Sequence, residues 1–182
     1  MMSDDDSAVH SEILQDLSLR VNAQEVKTPN TWSVKDVADL YVECCLYAKL
    51  KRAEWEFLLP QGLDRTNFIK QQKIMEPAMV DQITRDMIQC KMPQMAVIIA
   101  GTDTAGSHIY VAHNGDQGRF DVGCYDAIGF AAIGAGGRHA RSQFMLAGHK
   151  WDAPSHESLL LTYIAKKRAE IAPGVGPTTD MI

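Results

Sequence analysis

The cysteines are the first residues in this sequence whose type and spacing could do chemistry. The four are Cys44, Cys45, Cys90 and Cys124. None of the intervals between them matches the CxxC or CxxH ligand pairs of zinc sites, which excludes a zinc ribbon. No histidine–acid neighbourhood can be recognised for Cys44 or Cys124, so neither is expected to be a nucleophile. Adjacent Cys44 and Cys45 would point about 100° apart on a helix, and we expect free buried thiols in a reducing compartment.

The histidines invite a metal interpretation because five of the six lie in the second half of the chain. These five are His108, His113, His139, His149 and His156. His108 and His113 are five positions apart on a predicted strand, so their side chains should point to opposite faces. We therefore expect no metal site and no cofactor. His108 with Asp103 or Ser107 makes no stronger case for a catalytic triad.

A glycine-rich loop is the third candidate for chemistry. It comprises Gly134, Ala135, Gly136 and Gly137. A helix is predicted directly after it, and exposed amides at a helix N-terminus, with Arg138 and Arg141 nearby, can bind an anion. The spacing and the missing Lys-Ser/Thr pair exclude a nucleotide-binding loop of the Walker or dinucleotide type. We expect a tight strand-to-helix connection rather than an anion site.

The elements that must position these residues differ between the two halves of the chain. From Ser7 to about Met92 there is one glycine, and the apolar residues recur at helical spacing. A first helix is expected to begin at a Ser7 cap and to stop before Thr28-Pro29. Ser33, with Asp36 three positions later, predicts the capped start of a second helix. That helix should end or kink at Pro60. Two further helical segments are predicted before Pro77 and before Pro93.

The second half predicts antiparallel strands followed by helices. Met95 to Gly101 is a short apolar run rich in β-branched residues, which indicates a strand covered on both faces. His108 to His113, Phe120 to Cys124 and Ile128 to Ile133 are predicted as the next three strands, with Asn114-Gly115 as a turn. Two helices are expected after them: Arg138 to Gly148, and His156 to Ile171 capped by Asp152 to Ser155. The fold class is therefore α+β, a layered antiparallel sheet with a helix pair on either side.

Particular motifs of the second half match a known pattern. They are the strand Ala96 to Asp103, then Gly106 and Tyr110, then Gly115, and finally Ala131 to Gly137 before a helix. With this spacing, Pro93 to Ile182 resembles the second half of a proteasome β-type subunit of the N-terminal nucleophile hydrolase superfamily. Ser7 to Leu50 resembles the helix pair that precedes it. The resemblance implies one domain over residues 1–182, an incomplete αββα sandwich, with residues 51–92 as a helical insertion.

The same resemblance bears on activity. Relatives use a threonine that becomes residue one after processing, on strands that precede the first helix. No threonine follows a plausible processing site near the start of this sequence, and the paired strands are not recognised. Ala135 stands where relatives carry a serine, and Gly174 to Pro177 lacks the expected acid, although Thr178, Thr179 and Asp180 are near. We therefore expect no catalytic residue in this chain and interpret Gly134 to Gly137 as a former active-site loop.

Composition and charge limit the partners. The chain has 182 residues, 46% hydrophobic and 23% charged, which is typical of a globular protein. Eighteen Lys+Arg against 23 Asp+Glu give a net charge of -5, without a basic block, so nucleic acid is not expected as a partner. The acidic N-terminus and the short apolar runs predict neither a signal peptide nor a membrane span, and a cytoplasmic location is expected.

Three functions are consistent with the sequence. The first is a proteasome-β-like protein without its own hydrolytic centre that acts through a homo-oligomer or with a second chain supplying the missing strands. The second is the C-terminal portion of a threonine-type peptidase whose nucleophile lies upstream or on another chain. The third is a binding module in which Lys51 to Met92 recognises a protein partner.

Overall fold

The computed structural model describes residues 4–27, 32–115 and 119–178. In chain order the helices and strands are α1 (Asp4–Lys27), α2 (Val34–Ala53), α3 (Arg65–Gln71), α4 (Pro77–Gln89), β1 (Ala96–Asp103), β2 (Gly106–Asn114), β3 (Phe120–Cys124), α5 (Gly137–Leu146) and α6 (Ser155–Ala169). The mixed α+β class predicted from the sequence is confirmed. No helix of these described segments is long and apolar enough to cross a membrane.

The second helix begins as its sequence predicts. Ser33 is extended, its hydroxyl accepts the amide of Asp36, and the Asp36 carboxylate accepts the amide of Ser33. This reciprocal pairing satisfies amides that the first helical turn leaves free. The first helix differs from the expectation, because Ser7 lies inside α1, which already includes Asp4. The predicted end of α1 at Thr28-Pro29 falls in residues 28–31, outside the described segments.

The helical path changes its geometry before Pro60 and ends two residues after it, close to the predicted end or kink. After α2 the backbone widens into a π-helical turn, Glu54–Leu58, in which the amide of Leu59 donates to the carbonyl of Glu54. A 3₁₀ turn, Leu59–Gln61, then carries Pro60 and closes at Gly62 with a φ of 71°. A proline ring clashes with the carbonyl four residues earlier in an α-helix, and a widened turn moves that carbonyl away. The path ends at the glycine rather than at the proline.

The sheet has three antiparallel strands in the order β1-β2-β3. β1 and β2 pair from Ala96 with His113 to Asp103 with Gly106, and β2 and β3 from Tyr110 with Cys124 to Asn114 with Phe120. The first three predicted strands are therefore confirmed. The fourth, Ile128 to Ile133, is wrong: the amides of Ile128 and Gly129 both donate to the carbonyl of Tyr125, and the chain turns there. An apolar run forms a strand only where a neighbouring strand pairs with it.

The main core lies between one face of this sheet and the helices α1 and α2. Its buried members are Ile13, Tyr41, Cys44, Cys45, Met92, Met95 and Ala112. Val97 and Ile99 of β1 pack against it, so this is the inner face of the sheet. Ile98 points the other way and is 36% exposed, which corrects the expectation that β1 is covered on both faces. A second, smaller core lies within residues 51–92 and is built by Leu58, Phe68 and Ile83.

One buried side chain joins β1 to the end of β2. Asn114 belongs to β2 instead of the predicted Asn114-Gly115 turn. Its amide oxygen accepts the backbone amide of Met95 at 2.6 Å, and its amide nitrogen donates to the carbonyl of Pro93 at 2.6 Å. The side chain therefore extends the pairing of β1 by two residues toward the chain start.

We predict that Asn114→Ala lowers the free energy of unfolding by about 1 to 3 kcal/mol, because it leaves the buried amide of Met95 and the half-buried carbonyl of Pro93 unpaired. His113→Ala is the matched control, since His113 is exposed on the same strand and should change stability by less than about 0.5 kcal/mol. Urea unfolding followed by circular dichroism measures both. Equal effects of the two substitutions would contradict the assignment.

Candidate functional site

A cavity of about 750 Å³ separates the outer face of the sheet from the helices α5 and α6. Ile98 of β1 lines one side, residues 129–137 line the rim, and α6 contributes Thr162, Ala165 and Lys166 on the far side. α5 and α6 pack against each other, and within the described segments neither makes close backbone contact with any other helix or strand. The Gly134 to Gly137 loop therefore lies at the edge of an open space between two layers.

The conformation of the loop explains most of its glycines. Gly134 has a φ of 80°, which is unfavourable for a residue with a Cβ. Gly136 approaches α6 so closely that an added Cβ would lie 2.7 Å from the Cβ of Ala169. The amide of Gly137 donates to the carbonyl of Gly134 and closes the turn at the start of α5. These features are those of a tight connection between the segment before it and the helix after it.

The two arginines of the anion hypothesis do not line the cavity. Arg138 is exposed, and the guanidinium of Arg141 donates from Nε to the carbonyl of Gly137 at 3.4 Å. The cation that does line the cavity is Lys166. Its ammonium donates to Glu170 Oε1 and to the carbonyl of Gly176, both at 2.7 Å. Lys166 therefore fixes the segment after α6 against that helix.

An aromatic stack holds the rim of the cavity onto α5. The rings of Phe130 and Phe144 are parallel with centroids 4.3 Å apart, and His149 meets both rings edge-on. Just before it, Gly129 adopts a φ of 78° and passes so close to Trp151 that an added Cβ would lie 2.6 Å from its Cα. The segment that was predicted as a fourth strand is thus held by packing instead of by a ladder of hydrogen bonds.

The cavity brings together few groups that could do hydrolysis. Its hydroxyls belong to Ser158, Thr162 and Thr178, and its titratable groups are His149 and Lys166. The hydroxyl of Thr162 donates to the carbonyl of Ser158 within α6. Among the residues that the structure describes, no carboxylate lines it. In the described part of the chain, no hydrogen bond pairs a cavity hydroxyl with His149 or Lys166, as nucleophilic catalysis would require. Thr179 and Asp180 lie outside the described residues.

A second cluster of ionisable groups lies on the inner face of the sheet, at the end of the strands farther from Asn114. His108 Nδ1 is 2.6 Å from Asp126 Oδ2, and His108 Nε2 is 3.2 Å from Asp103 Oδ1. Asp103 is a candidate partner of His108 in the sequence, but Asp126 is not recognisable as one. The turn after β3 brings Asp126 back to β2, where the amide of Ile109 donates to its Oδ1, and no local pattern predicts this turn.

Both imidazole nitrogens face a carboxylate, so the cluster favours the protonated ring. The hydrogen bond with Asp126 raises the pKa of His108, and Asp103 raises it further. Backbone amides of Val34 and Ala105 lower the pKa of Asp103, and the amide of Ile109 with His108 lowers the pKa of Asp126. A ring with both nitrogens engaged has no lone pair for a metal, and the described part of the chain contains no group suited to hold one.

The remaining candidates are dispersed. His113 is exposed on the other face of β2, as its spacing from His108 predicts. Cys44, Cys45 and Cys90 are buried free thiols, whereas Cys124 is exposed, which corrects the expectation of a buried thiol at that position. Burial raises the pKa of both Cys44 and Cys45 to about 11, so these thiols are poor nucleophiles.

Comparison with known proteins adds no identification. No protein-family model matches the sequence, and no curated protein matches it significantly.

The His108 cluster predicts a specific dependence of stability on pH. Because the folded-state pKa of His108 lies above 6.5, its contribution is complete below pH 6.5 and is lost as the pH rises through the folded-state value. Because the pKa values of Asp103 and Asp126 lie below 3.8, their contribution is present above about pH 3.8 and is lost at lower pH. The cluster should therefore stabilise the fold most between these two limits.

We predict that His108→Gln flattens the fall in stability between pH 6 and pH 9. His113→Gln, on the same strand but outside the cluster, should keep the wild-type slope. Urea midpoints measured across this pH range test the difference. A wild-type slope retained by His108→Gln would show that the cluster does not control it.

Proposed function

We propose that this chain is a proteasome-β-like protein that has no hydrolytic centre of its own and acts through assembly, with the strand layer between its sheet and α5–α6 supplied by another polypeptide. The cytoplasmic location expected from the sequence belongs to the same proposal. The observation that carries it is the open cavity of about 750 Å³ between the outer sheet face and the α5–α6 pair.

The separation of the two layers supports this proposal. The backbones of α5 and α6 approach each other closely and, in the described segments, approach no other helix or strand. A helix pair normally buries an apolar side against a sheet or against other helices. Here Ile98 on the sheet side and Ile133 on the rim remain 36% and 38% exposed. An inserted layer of strands would cover both of these side chains.

The sheet also offers edges for pairing. In the order β1-β2-β3, each of the outer strands pairs on one side within the described segments. An unpaired edge presents backbone amides and carbonyls that another strand can bind. The outward side of α6 adds a further apolar surface, formed by Leu159, Leu160, Tyr163 and Ile164. Exposed apolar surface of this kind is typical of an assembly interface.

The alternative function is the C-terminal portion of a threonine-type peptidase. The observation in its favour is that the Gly134 to Gly137 loop, which resembles the loop supporting the nucleophile in relatives, lines the same cavity. A threonine delivered by another chain would then complete the site. Ala135 argues against it, since this position offers no hydroxyl.

We predict that the purified chain forms a homo-oligomer in solution, measured by light scattering coupled to size-exclusion chromatography. Ile98→Lys should shift it toward the monomer, because a charge on the outer sheet face opposes burial. Leu19→Lys is the matched control: Leu19 is 63% exposed on α1, away from the cavity, and its replacement should leave the oligomer intact. A well-folded, non-aggregating monomer of the wild-type chain would contradict the proposal.

A threonine-directed electrophile separates the two candidate functions. The assembly function predicts no adduct on the chain or on a partner that copurifies with it. A stoichiometric adduct on a copurifying partner, found by mass spectrometry, would favour the peptidase instead.

A further inference from the structure

A second apolar surface lies between the end of α2 and the helices of the insertion segment, residues 51–92, and shares no residue with the cavity. Three helices contribute to it with helical spacing, and together they form a groove of about 600 Å³. α2 provides Leu46, Lys49, Leu50 and Ala53; α3 provides Arg65, Phe68 and Ile69, with Gln72 at its C-cap; α4 provides Thr84, Met87 and Ile88. Positions i, i+3 and i+4 of each helix therefore face one shared space.

The floor of the groove is fixed by the small core of the insertion segment. Phe68 is buried there with Leu58 and Ile83, and Met87 packs against them. The walls are not covered: Leu46, Leu50, Ile69 and Ile88 are 44%, 46%, 62% and 70% exposed. Four aliphatic side chains are thus held outward by a rigid base, which is unfavourable unless they contact another molecule.

The charges on the groove are of one sign. Lys49 and Arg65 line it, and none of the described carboxylates does. Two acids adjacent in sequence to groove residues accept backbone amides: Glu54 accepts the amide of Arg65, and Asp64 caps α3 through the amide of Asn67. In the described part of the chain, neither Lys49 nor Arg65 forms an ion pair. An occupant with carboxylates at its flanks would complement these two cations.

We propose that this groove binds an amphipathic helix of a partner protein, with aliphatic anchors at i, i+3 or i+4, and i+7, and with acidic residues flanking them. An apolar groove between helices is the usual receptor for such a helix. The exposure of Ile69 and Ile88 favours a helix lying across the surface over a small molecule, because a small-molecule site encloses most of its ligand. This inference rests on the groove alone and is independent of the proposed assembly through the cavity.

The proposal can be tested with the full chain and a fluorescein-labelled designed peptide. The acidic probe is an 18-residue helix with leucines at the anchor positions and glutamates beside them, and the basic probe has lysine in place of each glutamate. Fluorescence anisotropy should show that the acidic probe binds about tenfold more tightly than the basic one. Failure of the acidic probe to bind the wild-type chain, or equal binding of both probes, would overturn the proposal.

Variants locate the binding. Ile69→Asp with Ile88→Asp should weaken the acidic probe at least about tenfold, whereas Leu19→Asp, on an exposed leucine of α1, should not. Lys49→Glu with Arg65→Glu should reverse the preference of the two probes, and Lys70→Glu, on α3 but outside the groove, should preserve it. Circular dichroism confirms that each variant is folded.

Two other outcomes assign the groove to a different occupant and would likewise overturn the proposal. Displacement of the probe by micromolar laurate, with no charge preference among peptides, indicates a fatty-acid site. Loss of self-association in the Ile69→Asp, Ile88→Asp variant, measured by light scattering, indicates a second copy of the chain. The two proposals can fail separately. If the wild-type chain is monomeric and binds the acidic probe, the proposed assembly function is contradicted and the groove proposal is supported.

Discussion

The packing of α2 against one face of a three-stranded sheet is the constraint on which the rest of the structure depends. Tyr41, Cys44 and Cys45 of α2 are fully buried against the inner face, and α1 covers them from the other side. Because residues alternate along each strand, this burial fixes which residues of β1 and β2 face outward. The outer face consequently carries Ile98, and within the described segments α5 and α6 make no close backbone contact with the strands.

Polar side chains hold both ends of this packing in register. At one end Asn114 binds the residues that lead into β1. At the other end Asp103 accepts the amide of Val34, so the first turn of α2 is joined directly to the end of β1. His108 and Asp126 then connect that point to the turn after β3. Apolar packing alone lets a helix shift along the sheet that it covers. These two sets of hydrogen bonds restrict that shift at both ends of the packed face.

Local signals in the sequence predicted the elements that depend on local interactions. Ser33 and Asp36 satisfy each other within one turn, and β1 and β2 are adjacent runs rich in β-branched residues joined by a short turn. What could not be predicted depends on neighbours distant in sequence. Ile128 to Ile133 has the composition of a strand but no partner strand beside it, and Asp126 joins His108 only because the sheet brings position 126 back to β2. The exposure of Cys124, which pairs with Tyr110 at the end of β3, likewise depends on how far the helices cover the inner face.

The π-helical turn at Glu54–Leu58 has a geometric consequence for everything that follows it. One residue more than an α-helical turn requires is accommodated there, and each residue of an α-helix advances the azimuth by about 100°. The widened turn therefore sets the direction of the axes of α3 and α4 relative to α2. Deleting a single residue at this point would rotate α3 and α4 about the axis of α2 while leaving the sheet and its inner helices in place.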